Sequence, residues 1–226
     1  MAINAVEQHV EEVNVNEKIN EFIQKNRKAL LIILITGIVV IIGFVATVNI
    51  RDSLRSRAIE EVEAYERRFD SLRVDTEKEA KREALLAEIN NFAQSHAGYA
   101  GTRASLLSAS MYADQKKWAE AQAAWETASQ KAGQSYLVAV ALFNAAVAAE
   151  EQEDNEKALD LYTRSVAHPG GFPGASRAQF AIGRLYEMRS DREAALRTYR
   201  ELVARWPNDS VWAPLAQNRI IFLSSQ

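Results

Sequence analysis

The chain has 226 residues, a formal net charge of −3 and no cysteine. Glycine and proline are scarce, which favours long helices with short connections over a sheet-rich fold. The mild charge gives no reason to expect a nucleic-acid partner, and the lack of cysteine excludes disulfides and thiolate metal sites.

Residues 1–28 predict a polar tail that contains a short amphipathic helix over residues 4–27. Among several glutamates, apolar side chains recur near helical spacing at Val6, Val10, Val13, Ile19, Phe22 and Ile23. A helix that lies on a membrane surface carries a basic polar face, whereas this face is mainly acidic. We therefore expect a solvated tail or a small docking helix.

Residues 29–50 predict a transmembrane helix, since no charged residue lies between Lys28 and Arg51. At 1.5 Å per residue the segment is roughly 33 Å long, close to the hydrocarbon thickness of about 30 Å. A cleaved secretory signal is the alternative, but the apolar run is long, a polar segment precedes it, and no cleavage site follows. Basic residues are nearly balanced on the two sides, so charge leaves the orientation open.

Residues 51–75 predict a helical stalk that continues out of the bilayer. The segment is rich in charge, with sparse apolar positions at Leu54, Ile59, Val62, Phe69 and Leu72. We expect its charged side chains to form a solvated surface.

Residues 76–226 contain an internal repeat with a period of 37 residues. Four series keep this interval: Ala109, Ala146 and Gly183; Tyr112, Ala149 and Tyr186; Ala121, Ala158 and Ala195; and Trp125, Tyr162 and Tyr199. Small residues suit the close crossing of two helices, and each aromatic lies one helical turn beyond a small residue on the same face. The pattern predicts three helical hairpins that complete one another's core by stacking.

Polar turns join the two helices of each hairpin at residues 114–117, 152–155 and 189–192. Two further helices are expected to cap the ends. Residues 76–97 present Leu85, Leu86, Ile89 and Phe92 to the first hairpin. Residues 209–223, with Asp209 or Ser210 as N-cap, present Trp212, Leu215, Ile220 and Leu223 to the last.

The third unit resembles a tetratricopeptide repeat, because Gly183, Tyr186, Ala195, Tyr199 and Pro207 fall at the small, aromatic, small, aromatic and proline positions of that family. The period is longer than the usual 34 residues of the family. The expected fold is all-α: one N-terminal transmembrane helix, then a tetratricopeptide-like α-solenoid of about three hairpins with capping helices.

No catalytic or ligand-binding motif emerges from the sequence. The histidines His9, His96 and His168 are scattered, and the glycines of the segment 168–174 lack the lysine of a phosphate-binding loop. We expect no enzyme activity, no cofactor, no metal and no small-molecule substrate.

The first helices of stacked hairpins line a concave surface, which predicts a protein-binding groove. Its positions in the repeat register are Arg103, Leu106, Ser110, Val140, Phe143, Val147, Arg177, Phe180, Arg184 and Met188. Leu106, Phe143 and Phe180 are equivalent and would form an apolar stripe flanked by arginines, suited to an extended or helical peptide. Alternatively, these side chains pack on the terminal helices.

The whole layout resembles the YfgM-like family, the ancillary subunits of the bacterial SecYEG translocon. The similar segments are FIQKNRKAL from Phe22, NNFAQSHAGYAGTRASLLSASMYADQKKWAEA from Asn90, and NRIIFL from Asn218. The resemblance implies a cytoplasmic N-terminus, an inner-membrane helix and a periplasmic repeat domain. It also implies protein partners: translocon subunits, a periplasmic chaperone or secreted clients. The alternative is a structural scaffold of another envelope assembly, in outer-membrane biogenesis, division or motility.

Overall fold

A computed structural model of the chain describes residues 2–73 and 79–225, with the side chains of residues 2–14, 16 and 73 left aside. These ranges hold nine helices and no strand, which confirms the predicted all-α class. The helices are α1 (Ala2–Arg73), α2 (Glu79–Ser95), α3 (Gly98–Asp114), α4 (Trp118–Lys131), α5 (Leu137–Glu151), α6 (Asn155–Ala167), α7 (Ala175–Met188), α8 (Arg192–Arg205) and α9 (Trp212–Ser224).

The chain divides into two units, residues 1–56 and 57–226. The first unit consists of the greater part of α1, in which residues 29–50 are exposed along their whole length. By length and composition this helix is a candidate membrane span. The backbone is helical from Ala2, but Val6, Val10 and Val13 of the predicted amphipathic face lie outside the described side chains.

Three hairpins, α3–α4, α5–α6 and α7–α8, form the body of the second unit, with the polar turns where the sequence predicts them. Each turn uses one residue in the left-handed region, and these residues keep the period of 37: Lys116 (φ 57°), Glu153 (φ 62°) and Ser190 (φ 58°). The next residue in each turn donates its backbone N–H at 2.9 Å to the carbonyl oxygen of Tyr112, Ala149 or Tyr186. This bond pairs a carbonyl that the end of the first helix would otherwise leave without a partner.

The second helix of two hairpins begins with an aspartate N-cap. Asp154 accepts a hydrogen bond from the backbone N–H of Lys157 at 3.1 Å, and Asp191 accepts one from Ala194 at 3.0 Å. Lys117 holds the equivalent position in the first hairpin and makes no side-chain cap. The first hairpin therefore lacks a stabilising contact that the other two share.

The small positions of the repeat lie where the paired helices cross. Ala109, Ala146, Ala121, Ala158 and Ala195 are fully buried. At Gly183 an added methyl group would lie 2.6 Å from Cζ of Tyr199. The third hairpin therefore requires glycine at this crossing, since a packed interior has no room for the added carbon.

The N-terminal end of the repeats is covered by α2 and by the last turns of α1. The predicted capping residues Leu85, Leu86, Ile89 and Phe92 are buried, as expected. The segment predicted as a stalk also contributes to this core, because α1 buries Ala58, Val62 and Phe69 in the same cluster. These three residues share one helical face, so a segment that is mostly charged still buries an apolar stripe.

The C-terminal end is covered by α9, which packs Trp212, Ile220 and Leu223 against the last hairpin, as predicted. Leu215 differs from its prediction, because it is 42% exposed. Ala213, Ala216 and Leu223 set the buried face of α9, and Leu215 lies outside this face. The N-cap position is Val211 and not the predicted Asp209 or Ser210. Asp209 nevertheless accepts bonds from the backbone N–H groups of Val211 and Trp212 at 2.9 and 2.7 Å.

Candidate protein-binding site

A cleft of about 570 Å³ lies beside the first hairpin. Helix α3 supplies half of its lining residues, and the others come from the last turns of α1 and the start of α5. The lining residues are Glu66, Phe69, Asp70, Tyr99, Arg103, Leu106, Leu107, Ser110, Tyr136 and Leu137. Three of the residues predicted for the groove, Arg103, Leu106 and Ser110, thus share one cavity.

Two exposed tyrosines belong to this cleft. Tyr99 is 54% and Tyr136 is 55% exposed, although both are large aromatic side chains. Tyrosine offers broad contact area at low conformational cost and is enriched in protein-binding surfaces. The sequence analysis missed this pair, yet the two residues lie 37 positions apart, so extending the repeat register would have found them.

Arg103 was predicted as an exposed groove residue beside the apolar stripe, but it is partly buried and pairs with carboxylates of α1. Its Nε donates to Glu66 at 3.2 Å, a further nitrogen lies 3.8 Å from Glu63, and the guanidinium stacks 5.6 Å from the ring centre of Tyr99. The hydrogen bond to Glu66 raises the pKa of Arg103 above its ordinary value, against the opposing effect of burial. Arg103 therefore joins α3 to α1, and its charge is locally balanced.

The remainder of the cleft combines apolar surface with a carboxylate. Leu106 is half-buried, and the hydroxyl of Ser110 donates to its backbone oxygen at 3.0 Å. Asp70 is exposed and forms no ion pair among the described residues. With Arg103 balanced, the lining of the cleft has a negative character that suits basic or polar segments beside apolar side chains.

In the second hairpin, the predicted groove residue Phe143 is only 9% exposed, whereas the repeat register predicts an exposed side chain. Its ring centre lies 5.5 Å from that of Tyr162 and 5.6 Å from that of Phe172. Phe172 comes from the glycine-rich connector between hairpins, which therefore covers this position. Arg177, another predicted residue, is exposed and lies 5.2 Å over the ring of Phe143, while Val147 is half-buried.

In the third hairpin, Phe180 packs on the terminal helices, which is the alternative that the sequence analysis left open. Its ring centre lies 5.3 Å from both Tyr199 and Trp212. Met188 is 58% exposed and accepts a 3.7 Å contact from Arg184. Arg177, Arg184 and Met188 are thus the predicted residues with open surface in the last two units.

A tyrosine–glutamate–arginine contact is repeated between successive units. Tyr162 donates to Glu150 at 2.7 Å, and Arg184 of the next hairpin pairs with the same carboxylate. Likewise Tyr199 donates to Glu187 at 2.6 Å, and Nε of Arg219 in α9 donates to it at 2.9 Å. Each contact joins both helices of one unit to the first helix of the following unit.

The ionisable groups of the contact between Tyr199, Glu187 and Arg219 have shifted pKa values. Burial and the bond to Glu187 raise the pKa of Tyr199. Burial also tends to raise the pKa of Glu187, but hydrogen bonds from Arg219 and Tyr199 outweigh it and hold the value below its ordinary 4.5. The carboxylate is therefore stabilised in its ionised form.

The arrangement can bind polypeptide through aromatic, aliphatic and carboxylate groups. Among the residues whose side chains are described, no group of three His, Asp or Glu is placed to hold a metal ion. Stacked hairpins of constant period, each closed by a turn of the same backbone geometry and preceded by a candidate membrane span, define a helical-repeat protein of the interaction class.

The chain belongs to the tetratricopeptide repeat-like domain family, whose model matches residues 20–221. That match begins before the apolar segment and ends within α9, so the family model includes the apolar segment and most of α9. A "TPR repeat-containing protein" of Treponema pallidum (strain Nichols) is similar, with 32% identity over 228 residues, which cover 92% of this chain and 93% of the relative. The family confirms the tetratricopeptide-like part of the resemblance, and with it a module of protein–protein interaction.

Proposed function

We propose that the chain is a membrane-tethered protein-binding module of the bacterial inner membrane. Residues 29–50 anchor it, the N-terminus lies in the cytoplasm, and the repeat domain lies in the periplasm. The anchor is supported by an exposed apolar helix that water would solvate poorly. The orientation rests on the resemblance to the YfgM-like translocon subunits.

Its partners are translocon subunits, a periplasmic chaperone or envelope proteins that emerge from the translocon. The cleft of the first hairpin is the observation that carries this proposal. Tyr99, Tyr136 and Leu106 supply aromatic and apolar contacts, and Asp70 supplies an exposed carboxylate. An unfolded segment with apolar and basic side chains would satisfy both kinds of contact. The groove continues, on this proposal, along the open surface of Arg177, Arg184 and Met188.

The orientation can be tested with single cysteines, because the chain has none of its own. Asn20→Cys precedes the apolar segment and Glu151→Cys lies in the repeat domain; both side chains are exposed. In intact cells a membrane-impermeant maleimide, given access to the periplasm, should label Glu151→Cys alone. Labelling of Asn20→Cys alone would show the opposite orientation. Labelling of both cysteines only after lysis would show that both segments lie in the cytoplasm.

The binding site can be tested by photo-crosslinking in living cells. A photoreactive residue at Tyr136 should capture translocon subunits and nascent secreted chains, and Asp70→Lys should reduce the yield by reversing the charge of the cleft. A probe at Gln130, which is exposed on α4, is the matched control. A probe at Met188 tests whether the groove extends to the third unit.

Capture of a fixed set of assembly proteins would favour the scaffold hypothesis instead. If the Tyr136 probe gave only the products that the Gln130 probe gives, the cleft would not be the binding site.

A further inference from the structure

Helix α9 takes the place of the first helix of a further unit. Arg219 of α9 pairs with Glu187 as Arg184 of α7 pairs with Glu150, and the two arginines are 35 residues apart. This offset places Asn218 at the position of Gly183 and Phe222 at the position of Glu187. In α7 that face is covered by α8, since Gly183 lies against the ring of Tyr199, which also bonds to Glu187.

In α9 the same face is open. Val211, Leu215 and Phe222 are 54%, 42% and 48% exposed, and Asn218 lies exposed among them. Their spacing of four, three and four residues makes one continuous stripe along the helix. Ile221 is 60% exposed beside it. No described helix covers this stripe, and a continuous exposed apolar stripe of this kind indicates a partner.

The charge distribution indicates what that partner is. Arg219 is the one ionisable side chain in α9, and it is paired with Glu187 while its guanidinium lies 4.8 Å over the ring of Phe222. A second copy of α9 would therefore bring no unpaired like charges to the contact. A charged amphipathic helix from another protein would find no complementary charge on the stripe.

The stripe is also complementary to itself. When two such helices pack antiparallel about a two-fold axis at Asn218, Leu215 of each copy faces Phe222 of the other. Asn218 meets its own copy at the axis, and a carboxamide both donates and accepts, so the two side chains can bond reciprocally. Asn218 makes no side-chain hydrogen bond within the described part of the chain.

We propose that the outer stripe of α9, formed by Val211, Leu215, Asn218 and Phe222, is a self-association surface on which a second copy of this chain packs its own α9. A typical stable interface buries about 800 Å² on each partner, and one helical face buries less than that. The contact is therefore weak between free molecules. Confinement of both copies to one membrane raises their effective concentration, and the strength of association in cells, though not the geometry, rests on the proposed anchoring.

Cysteine crosslinking in the full-length chain tests this contact in membranes. Asn218→Cys places one thiol at the proposed axis, and no other cysteine is present. Gln217→Cys is the matched control, because it is exposed on the same helix but turned away from the stripe. Copper–phenanthroline with dioxygen removes two electrons and two protons from a pair of thiols, and the bond forms only when their Cβ atoms come within about 3.5–4.5 Å.

The expected result is a disulfide dimer from Asn218→Cys at several-fold higher yield than from Gln217→Cys. The additional change Leu215→Ser with Phe222→Ser should lower that yield to the control level. Tryptophan fluorescence of each variant shows whether the repeat domain is folded.

Equal yields from the two positions would overturn the proposal. So would a monomer from Asn218→Cys whose thiol reacts freely with maleimide, or a crosslink from Asn218→Cys to a different protein. Dimerisation through the membrane helix would not favour position 218 over 217, so the two sources of association are distinguishable.

Discussion

The two ends of the repeat domain are closed in different ways. At the N-terminal end, α1 and α2 bury Val62, Phe69 and Ile89, while Arg68 and Glu88 form an ion pair at 2.6 Å on the surface. At the C-terminal end, α9 buries one face and leaves Leu215 and Phe222 exposed on the other. A repeat stack must shield its terminal apolar faces. The apolar face of α1 and α2 is buried against the first hairpin, whereas α9 keeps an exposed apolar face.

The largest loss of stability is expected from a substitution at the N-terminal end of the repeat domain. Phe69→Ala should destabilise the repeat domain by about 3–5 kcal/mol, because Phe69 is a buried part of its core. Leu54→Ala is the control in the same helix, since Leu54 is 59% exposed, and it should leave stability nearly unchanged. All four tryptophans lie between residues 118 and 212, so their fluorescence during urea unfolding reports on this domain alone.

A smaller loss is expected at the crossing of α7 and α8. Gly183→Ala should cost about 1–3 kcal/mol, because the added methyl group overlaps the ring of Tyr199. At the equivalent crossing of the second hairpin, Ala146 already has a methyl group and is buried. If Gly183→Ala unfolded at the wild-type urea concentration, the crossing would be looser than described.

An increase in stability is expected when the first hairpin is given the N-cap that it lacks. Lys117→Asp should stabilise the domain by about 1 kcal/mol, because it would supply the N-cap that Asp154 and Asp191 already provide. Asp154→Ala is the reference and should cost a similar amount. A higher urea midpoint, measured by tryptophan fluorescence, would confirm the added stability. An unchanged midpoint would show that an aspartate at position 117 does not act as an N-cap.

The smallest effect is a pH dependence at the C-terminal end. The pKa of Glu187 is lower in the folded state than its ordinary 4.5, so ionised Glu187 stabilises the fold at neutral pH. That contribution is lost as the pH falls through the folded pKa. The difference in urea midpoint between wild type and Glu187→Gln should therefore shrink below pH 4.5. A difference that stayed constant would show that the carboxylate charge has no role, and partial exposure of Arg219 keeps the effect modest.

The repeat itself was predictable because its signal is periodic. Ala121, Ala158 and Ala195 recur at a fixed interval, and all are buried as the register requires. The packing of α1 was not predictable in the same way. Its buried face consists of Ala58, Val62 and Phe69, with Ile59, Tyr65 and Leu72 partly buried beside them. This set does not recur at the period of 37 residues, and the charged residues of the segment outnumber it.

The candidate site was predicted in part, for physical reasons. Register places Leu106, Phe143 and Phe180 at equivalent positions, but the neighbours of each differ. Phe172 from an irregular connector covers Phe143, and Trp212 of α9 packs on Phe180. Such contacts depend on tertiary structure, which a periodic pattern does not encode. The ion pair between Arg103 and Glu66 likewise joins two segments that the sequence assigns to different parts of the molecule.

Hydrogen exchange of the full-length chain in lipid nanodiscs tests the closure of the N-terminal end most directly. Backbone amides of residues 58–69 should exchange as slowly as those of α3, because the two helices share one buried cluster. Amides of residues 17–28, in an exposed part of the same helix, should exchange much faster. Equally fast exchange over residues 58–69 and 17–28 would show that α1 continues as a free stalk and would contradict the account.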